Sequence, residues 1–183
     1  MLEVNFQPFP ELVTERLILR QLMNEDAHEV FVMRSNRVSM QYIAKPVMQE
    51  EAEALVWIQR ITDGLNNNEG ITWCIALKDC PEKLIGTIGF WRLIKEHYRA
   101  EIGYMLMPEY FNKGYITEAV RCVNEYAFAQ TQLHSIEAHI DPNNKGSESV
   151  LLKTGFIPEG YFKESYYVNG KFEDTAIYSL IRK

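Results

Sequence analysis

The stretch YFNKGYITEA, residues 110–119, decides how this chain is read. An apolar run passes through Pro108 into Asn112, Lys113 and Gly114, and then takes on helical spacing. A helix start needs only a capping residue, yet here a small glycine loop stands directly ahead of the first turn. Backbone N–H groups at such a start have no partner within the helix and carry the positive end of its dipole. A loop whose backbone can come close to a ligand makes that end a diphosphate cradle. The loop matches neither GxxxxGK[ST] nor GxGxxG. A tight strand-to-helix turn that merely needs Gly114 is the competing reading, and the surroundings must decide between them.

Upstream, ITWCIAL (71–77), LIGTIGFWRL (84–93) and RAEIGYML (99–106) read as three successive strands, joined by turn signals at Asp79–Pro81 and a polar Lys95–Tyr98 segment. Before them, RLILRQL (16–22) alternates like a strand. NEDAHEVFVMR (24–34) is predicted helical with Asn24 as N-cap. QEEAEALVWIQRITDGL (49–65) is a second helix, with Ala52, Leu55, Val56, Ile58 and Ile61 inward and glutamates in its first turn.

Downstream, TEAVRCVNEYAFAQ (117–130) carries Val120, Val123 and Ala127 on one helical stripe. SIEAHI (135–140) follows as a strand, then KGSESVLLKTG (145–155) as a short helix closed by Gly155. Two last strands flank an Asn169–Gly170 hairpin signal. The order β, α, α, β, β, β, α, β, α, β, β predicts a three-layer α/β fold, a mixed sheet with helices on its faces.

With 183 residues, 46% hydrophobic and 24% charged, the chain suits one globular domain spanning residues 1–183. A net charge of −6 argues against nucleic acid or an anionic membrane as partner. Cys74, Cys80 and Cys122 form no CxxC pair and no metal spacing, and four scattered histidines add no ligand pattern, so no metal is expected. The opening MLEVNFQPFPELVTERLILR has glutamates and prolines where a signal peptide needs an apolar run. No stretch reaches the roughly 18 apolar residues of a membrane helix. A cytoplasmic protein is expected.

A second motif shifts the balance at the loop. DPNNKGSESVLLKTGF (141–156) sets Asn144 and Ser147 at the front of a short helix and Lys153, Gly155 and Phe156 at its end. Together, YFNKGYITEA and NKGSESVLLKTGF resemble the two acetyl-CoA motifs of the GNAT N-acetyltransferase superfamily. The match is to the branch of ribosomal-protein N-terminal (RimJ/RimL-type) and spermidine acetyltransferases. TERLILRQL, AEIGYML and EGYFKESYYVNGKFEDTAIYSL resemble the same branch, so the likeness covers nearly the whole chain. It implies a splayed sheet, with the pantetheine arm of acetyl-CoA between the strand ending at Met105–Leu106 and the strand ending at Ile140. It places the diphosphate on the amides of Asn112, Lys113, Gly114, Tyr115, Ile116 and Thr117, with Asn144 as a side-chain contact to the pantetheine. The chain departs from the superfamily pattern at Phe111, where Arg or Gln is favoured, at Asn112, where Gly is, and at Ile116, where a small residue is.

Moving an acetyl group from a thioester to an amine requires loss of the amine proton, stabilisation of an oxyanion and a proton for the departing thiolate. Glu101 matches the family position that lies near the acceptor and is the expected base; a surface glutamate paired with Arg99 is the structural alternative. The tyrosine that many superfamily members use as acid is absent, since Leu151 stands there. In the RimJ/RimL branch a serine at the position of Ser147 takes that role; capping of the 147–154 helix is the alternative. A ping-pong route would need a cysteine beside a base, and none is evident.

The acceptor is a primary amine: the α-amine of a protein or peptide, or a polyamine or aminoglycoside-like small molecule. A non-catalytic acyl-CoA-binding module is the alternative outside enzymes. The acidic residues on the first two helices, Glu25, Asp26, Glu29, Glu50, Glu51 and Glu53, read as a solvated face or as a weak field for a cation. The segment between those helices, RSNRVSMQYIAKP (34–46), holds Arg34, Arg37 and Lys45 and no acid, which favours a peptide over a polycation. A monomer or a homodimer fits equally.

Overall fold

The computed structural model describes residues 1–168 and 170–183. One eight-stranded sheet runs through the molecule in the order β1-β2-β3-β4-β5-β6-β8-β7. Its strands are β1 (Leu12–Val13), β2 (Leu17–Gln21), β3 (Ile71–Leu77), β4 (Cys80–Ile94), β5 (Arg99–Leu106), β6 (Ser135–Ile140), β7 (Ile157–Val168) and β8 (Lys171–Ile181). Neighbours pair antiparallel except β5 and β6, which run parallel because helix α4 (Tyr115–Gln130) carries the chain across between them. The mixed sheet with helical layers is the architecture expected from the element order.

Apolar alternation supplies both faces. One packs Leu17, Leu19, Trp73, Ile102 and Leu106 against Val120, Val123 and Ala127 of α4, Leu151 of helix α5 (Lys145–Lys153), and Leu2 and Phe6 of the N-terminal segment. Trp73, fully buried, meets Phe9, Phe90 and Tyr126 edge-on, and its indole N–H donates to the Pro10 carbonyl at 2.7 Å. The other face packs Cys74, Leu84, Met105 and Met107 against Val30 and Met33 of α1 (Ala27–Ser35), Met40 of α2 (Arg37–Met40), and Ala54 and Ile58 of α3 (Ala52–Asn66).

Several local expectations change. The predicted cap Asn24 lies in a short 3₁₀ turn and makes no capping bond. Asp26 does the work instead: its carboxylate accepts from Met23 N–H at 2.8 Å and takes a forked bond from Arg20 at 2.6 and 2.8 Å. Asp26 is therefore buried and paired and does not belong to a solvated acidic face. On α3, Leu55 and Val56 are exposed, at 44% and 72%, and Ala52 is exposed too. The buried stripe is Ala54, Ile58 and Leu65, with Ile61 packed against it, so Ile58 and Ile61 face inward as predicted while Ala54 takes the place of Ala52, Leu55 and Val56. The glutamates there have a local use, since Glu53 Oε1 accepts from Gln49 N–H and Glu50 N–H at 2.7 and 3.1 Å. Strand β1 and helix α2 are too short to leave a periodic signal. At the predicted hairpin turn, Gly170 adopts φ +80°, while Asn169 lies outside the described residues.

Candidate active site

The glycine loop joins β5 to α4 through two left-handed residues, Asn112 at φ 59° and Gly114 at φ 81°. Asn tolerates that conformation better than other residues bearing a Cβ, and Gly adopts it freely. Helix α4 begins at Tyr115, two residues earlier than predicted. Its first described rung is Glu118 N–H to Gly114 O at 3.1 Å, so the amides of Tyr115, Ile116 and Thr117 have no i−4 partner. The TERLILR motif explains how the turn is held. Glu118 accepts from Thr14 Oγ1, Arg16 N–H and Arg16 Nε at 2.6, 2.8 and 2.7 Å, and Arg16 Nη1 donates to Lys113 O at 2.9 Å. The Arg16 guanidinium also covers the Tyr115 ring at 4.7 Å. Arg16 thus locks β2 to the loop and neutralises the one carboxylate in the first turn of α4.

Beyond the loop the sheet parts. Strands β5 and β6 pair over only three positions, Arg99↔Ser135, Ala100↔Ile136 and Glu101↔Glu137. From Ile102 and Ala138 onward they diverge, which leaves the splayed gap that the resemblance implied. Side chains alternate across that gap. Ala100, Ile102 and Leu106 face α4, with Tyr104 among them, and Met105 faces α1 and α3. Glu101 shares the Met105 face.

On the α4 side, Ser147 is buried and its Oγ lies 2.7 Å from Tyr104 OH. Ser147 does not cap its helix. Asn144 does, its Oδ1 accepting from Ser147 N–H at 3.0 Å, so Ser147 is the third residue of α5 and its hydroxyl is free of a capping duty. With one Oδ1 lone pair engaged by Ser147 N–H, Asn144 keeps both amide N–H donors for a ligand. Burial pushes the Tyr104 phenol up to about 12, with the Ser147 hydrogen bond opposing, so it stays a proton donor. The α5 helix closes on Gly155 at φ 91°, with Phe156 N–H on Leu151 O at 3.0 Å. Leu151 is fully buried in the core, far from any donor role.

On the other side, Glu101 is 5% exposed. Its partner is Arg92 at 3.8 Å, while Arg99 reaches Glu137 at 3.4 Å, so the alternative of a Glu101–Arg99 pair is replaced by one pair across each neighbouring strand. A bulge at Trp91 in β4 shifts the register and puts Arg92 opposite Glu101. His139 stands 4.0 Å from Glu101 and 3.7 Å from Glu137. Burial, aided by repulsion from Glu137 and opposed by Arg92, pushes the Glu101 carboxyl up to about 7. Burial also holds His139 below its ordinary value, with Glu137 pulling it up and Arg92 and Arg99 pushing it down. An open cleft of about 460 Å³, lined by Arg92, Arg99, Glu137, His139, Glu159 and Ser179, lies alongside.

Ligand atoms of Glu101, Glu137 and His139 fall within 4.8 Å of one another, a spacing open to a metal ion. Two guanidinium groups already lie beside the two carboxylates, at 3.8 and 3.4 Å, and offset the negative charge that would attract a dication. The Cys74 thiol, fully buried, is pushed up to about 12 by that burial, which withdraws it from nucleophilic chemistry.

Sequence reasoning missed Tyr104, Glu137 and the Thr14–Arg16 clamp. Glu137 was in principle findable, because a parallel partner for Glu101 must come from SIEAHI, and that strand has one acid.

Residues 16–157 match the family model described as "Acetyltransferase (GNAT) domain". The chain is 38% identical over 174 residues to the uncharacterized N-acetyltransferase YoaA of Bacillus subtilis, covering 95% of this chain and 98% of that one. Among solved structures it resembles RimL, a ribosomal L7/L12 α-N-protein acetyltransferase, in complex with coenzyme A, with a TM-score of 0.84 at 18% identity over 94% and 98% of the two chains. It also resembles the spermidine N-acetyltransferase of Vibrio cholerae in complex with CoA and spermine, with a TM-score of 0.79 at 21% identity over 92% and 96%. The chain belongs to the GNAT N-acetyltransferases, in the branch that includes ribosomal-protein and spermidine acetyltransferases.

Proposed function

We propose that this acetyltransferase moves an acetyl group from acetyl-CoA to the α-amine of a protein or peptide by direct attack in a ternary complex. The observation that carries the catalytic part is a buried, proton-poised Glu101 on one face of the gap and, on the other, a buried Ser147 hydrogen-bonded to a half-buried Tyr104. Glu101 takes the amine proton on the α1–α3 side. Ser147 supplies a proton to the thiolate on the α4 side, with Tyr104 as its donor behind. The amides of Asn112 to Thr117 receive the diphosphate, Met105 and Leu106 border the pantetheine arm, and Asn144 donates to it. No described helix is long and apolar enough to cross a membrane.

The loop assignment has a direct check. Gly114→Val forces a β-branched residue to φ 81° and sets a Cβ 3.4 Å from Arg16 Nη2, with its methyls closer still. Acetyl-CoA affinity is expected to fall at least tenfold, about 1.4 kcal/mol. Titration calorimetry on a folded variant with unchanged affinity would take the loop out of the site.

The acceptor reading rests on the segment 34–46, whose cations Arg34, Arg37 and Lys45 oppose a polycation. A thiol-release screen of short peptides with varied first residues, run beside spermidine, spermine and aminoglycosides, is expected to give turnover with peptides. Turnover with polyamines alone would overturn the acceptor and leave the acetyltransferase standing.

A further inference from the structure

Four arginines of this protein have a carboxylate within 4 Å: Arg16, Arg20, Arg92 and Arg99. Arg34, at the end of α1, has none among the described residues, although burial is enough to pull its guanidinium below the ordinary value. Its next perturbation comes from a second cation, Arg60 of α3, also without a carboxylate partner among the described residues. The Arg34 guanidinium lies over the Trp57 ring at 4.7 Å, and Nη1 approaches Met105 Sδ at 3.9 Å. Nε is buried with no hydrogen-bond partner, and so is Ser39 Oγ, five residues on.

The packing alone does not account for this. A cation over an indole is a modest attraction. A buried N–H left without an acceptor is destabilising, more so when charged, and thioether sulfur is a weak acceptor. Arg60, exposed on α3, adds positive potential at the Arg34 guanidinium. Such an arrangement is relieved by an anion. Met105 shares a face of β5 with Glu101 and stands four residues along it, so the anion would sit about 13 Å of strand from the base.

We propose that Arg34, supported by Arg60, binds a carboxylate of the acceptor, so that the preferred acceptor is an amine carrying an acidic group within a few residues of its N-terminus. This rests on reading the α1–α3 side of the gap as the side where the acceptor enters. The forked guanidinium suits a carboxylate, and Trp57 holds its plane. A polyamine meets two cations there and is disfavoured.

The test compares kcat/KM for peptides of one frame that differ only at the second or third residue, Glu, Gln or Lys. A free amino acid and a dipeptide acid serve as separate arms, to tell a side-chain carboxylate from a terminal one. The wild type is expected to favour Glu over Gln at least tenfold, with Lys poorest. Arg34→Met should abolish the Glu–Gln difference with KM for acetyl-CoA unchanged, and Arg60→Gln should reduce it. Arg34→Lys, which keeps charge and loses the fork, should retain part, and it carries the test if Arg34→Met does not fold. Turnover without an acid preference, or a preference intact in the Arg34 variants, overturns the inference. A raised KM for acetyl-CoA with acceptor preference unmoved does the same. No thiol release with any acceptor would instead undo the underlying function.

Discussion

Glu101→Gln is expected to lower kcat by roughly 10²–10⁴-fold and to remove the ionisation near pH 7 from the rate profile. A base must be ionised to act, so the wild-type rate rises with pH through about 7, where burial and Glu137 hold this carboxyl. The amine contributes its own rise near about 8 for an α-amine, and that limb survives the substitution. The same shift has a consequence for stability with a definite sign. The Glu101 carboxyl moves up from 4.5 to about 7 on folding. Its favourable contribution is therefore complete below about 4.5 and is lost as pH rises through about 7. Glutamine carries no such loss. The variant should be more stable than the wild type at pH 8, by something on the order of 2–3 kcal/mol, and close to it at pH 4.5. Melting curves at the two pH values, beside the rate profile, check both halves. An equal difference at both pH values, or an unchanged profile, would show that Glu101 is neither desolvated nor the base.

Ser147→Ala is expected to lower turnover by about 10²-fold or more, and Tyr104→Phe by about tenfold. Because Asn144 caps α5, the alanine variant keeps its helix start and loses only the 2.7 Å bond to Tyr104. That bond is worth about 1 kcal/mol of stability, and either variant removes it. Equal melting shifts with unequal rate losses would therefore isolate the proton-donor role. Full turnover in Ser147→Ala reduces the serine to a packing contact. A larger loss in Tyr104→Phe transfers the acid role to the tyrosine.

Long elements and their order were legible because their apolar periods are strong. The stripe Val120, Val123, Ala127 is buried as read, and β6 has its predicted bounds. The phase of α3 was legible only at Ile58 and Ile61, because apolar residues run almost without a gap from Ala52 to Ile58 and two faces compete. The glycine loop was legible through Gly114, whose positive φ a sequence can announce. What held it was not, since Thr14 and Arg16 act on Glu118 from a hundred residues away. Glu101 and Ser147 were visible as residue types in motifs, yet their burial, their placement on opposite faces and their neighbours Glu137 and Tyr104 follow from register. Register depends here on a bulge at Trp91, which leaves no mark in composition.

Only three residue pairs stitch the half-sheet β1–β5 to the half-sheet β6–β8–β7. Glu101, the proposed base, belongs to the first half and Ser147, the proposed acid, through α5 to the second, so their separation is not fixed by any continuous ladder. The Tyr104–Ser147 hydrogen bond is a side-chain tie spanning that seam. A small rocking about the three pairs would change the acid–base distance while every other strand pairing stays whole. A guest lodged between the open edges, bonded to both, acts as the missing spacer. On the proposed roles, the working geometry of the protein is an attribute of the loaded molecule, and alignment of Glu101 with Ser147 would arrive together with the thioester.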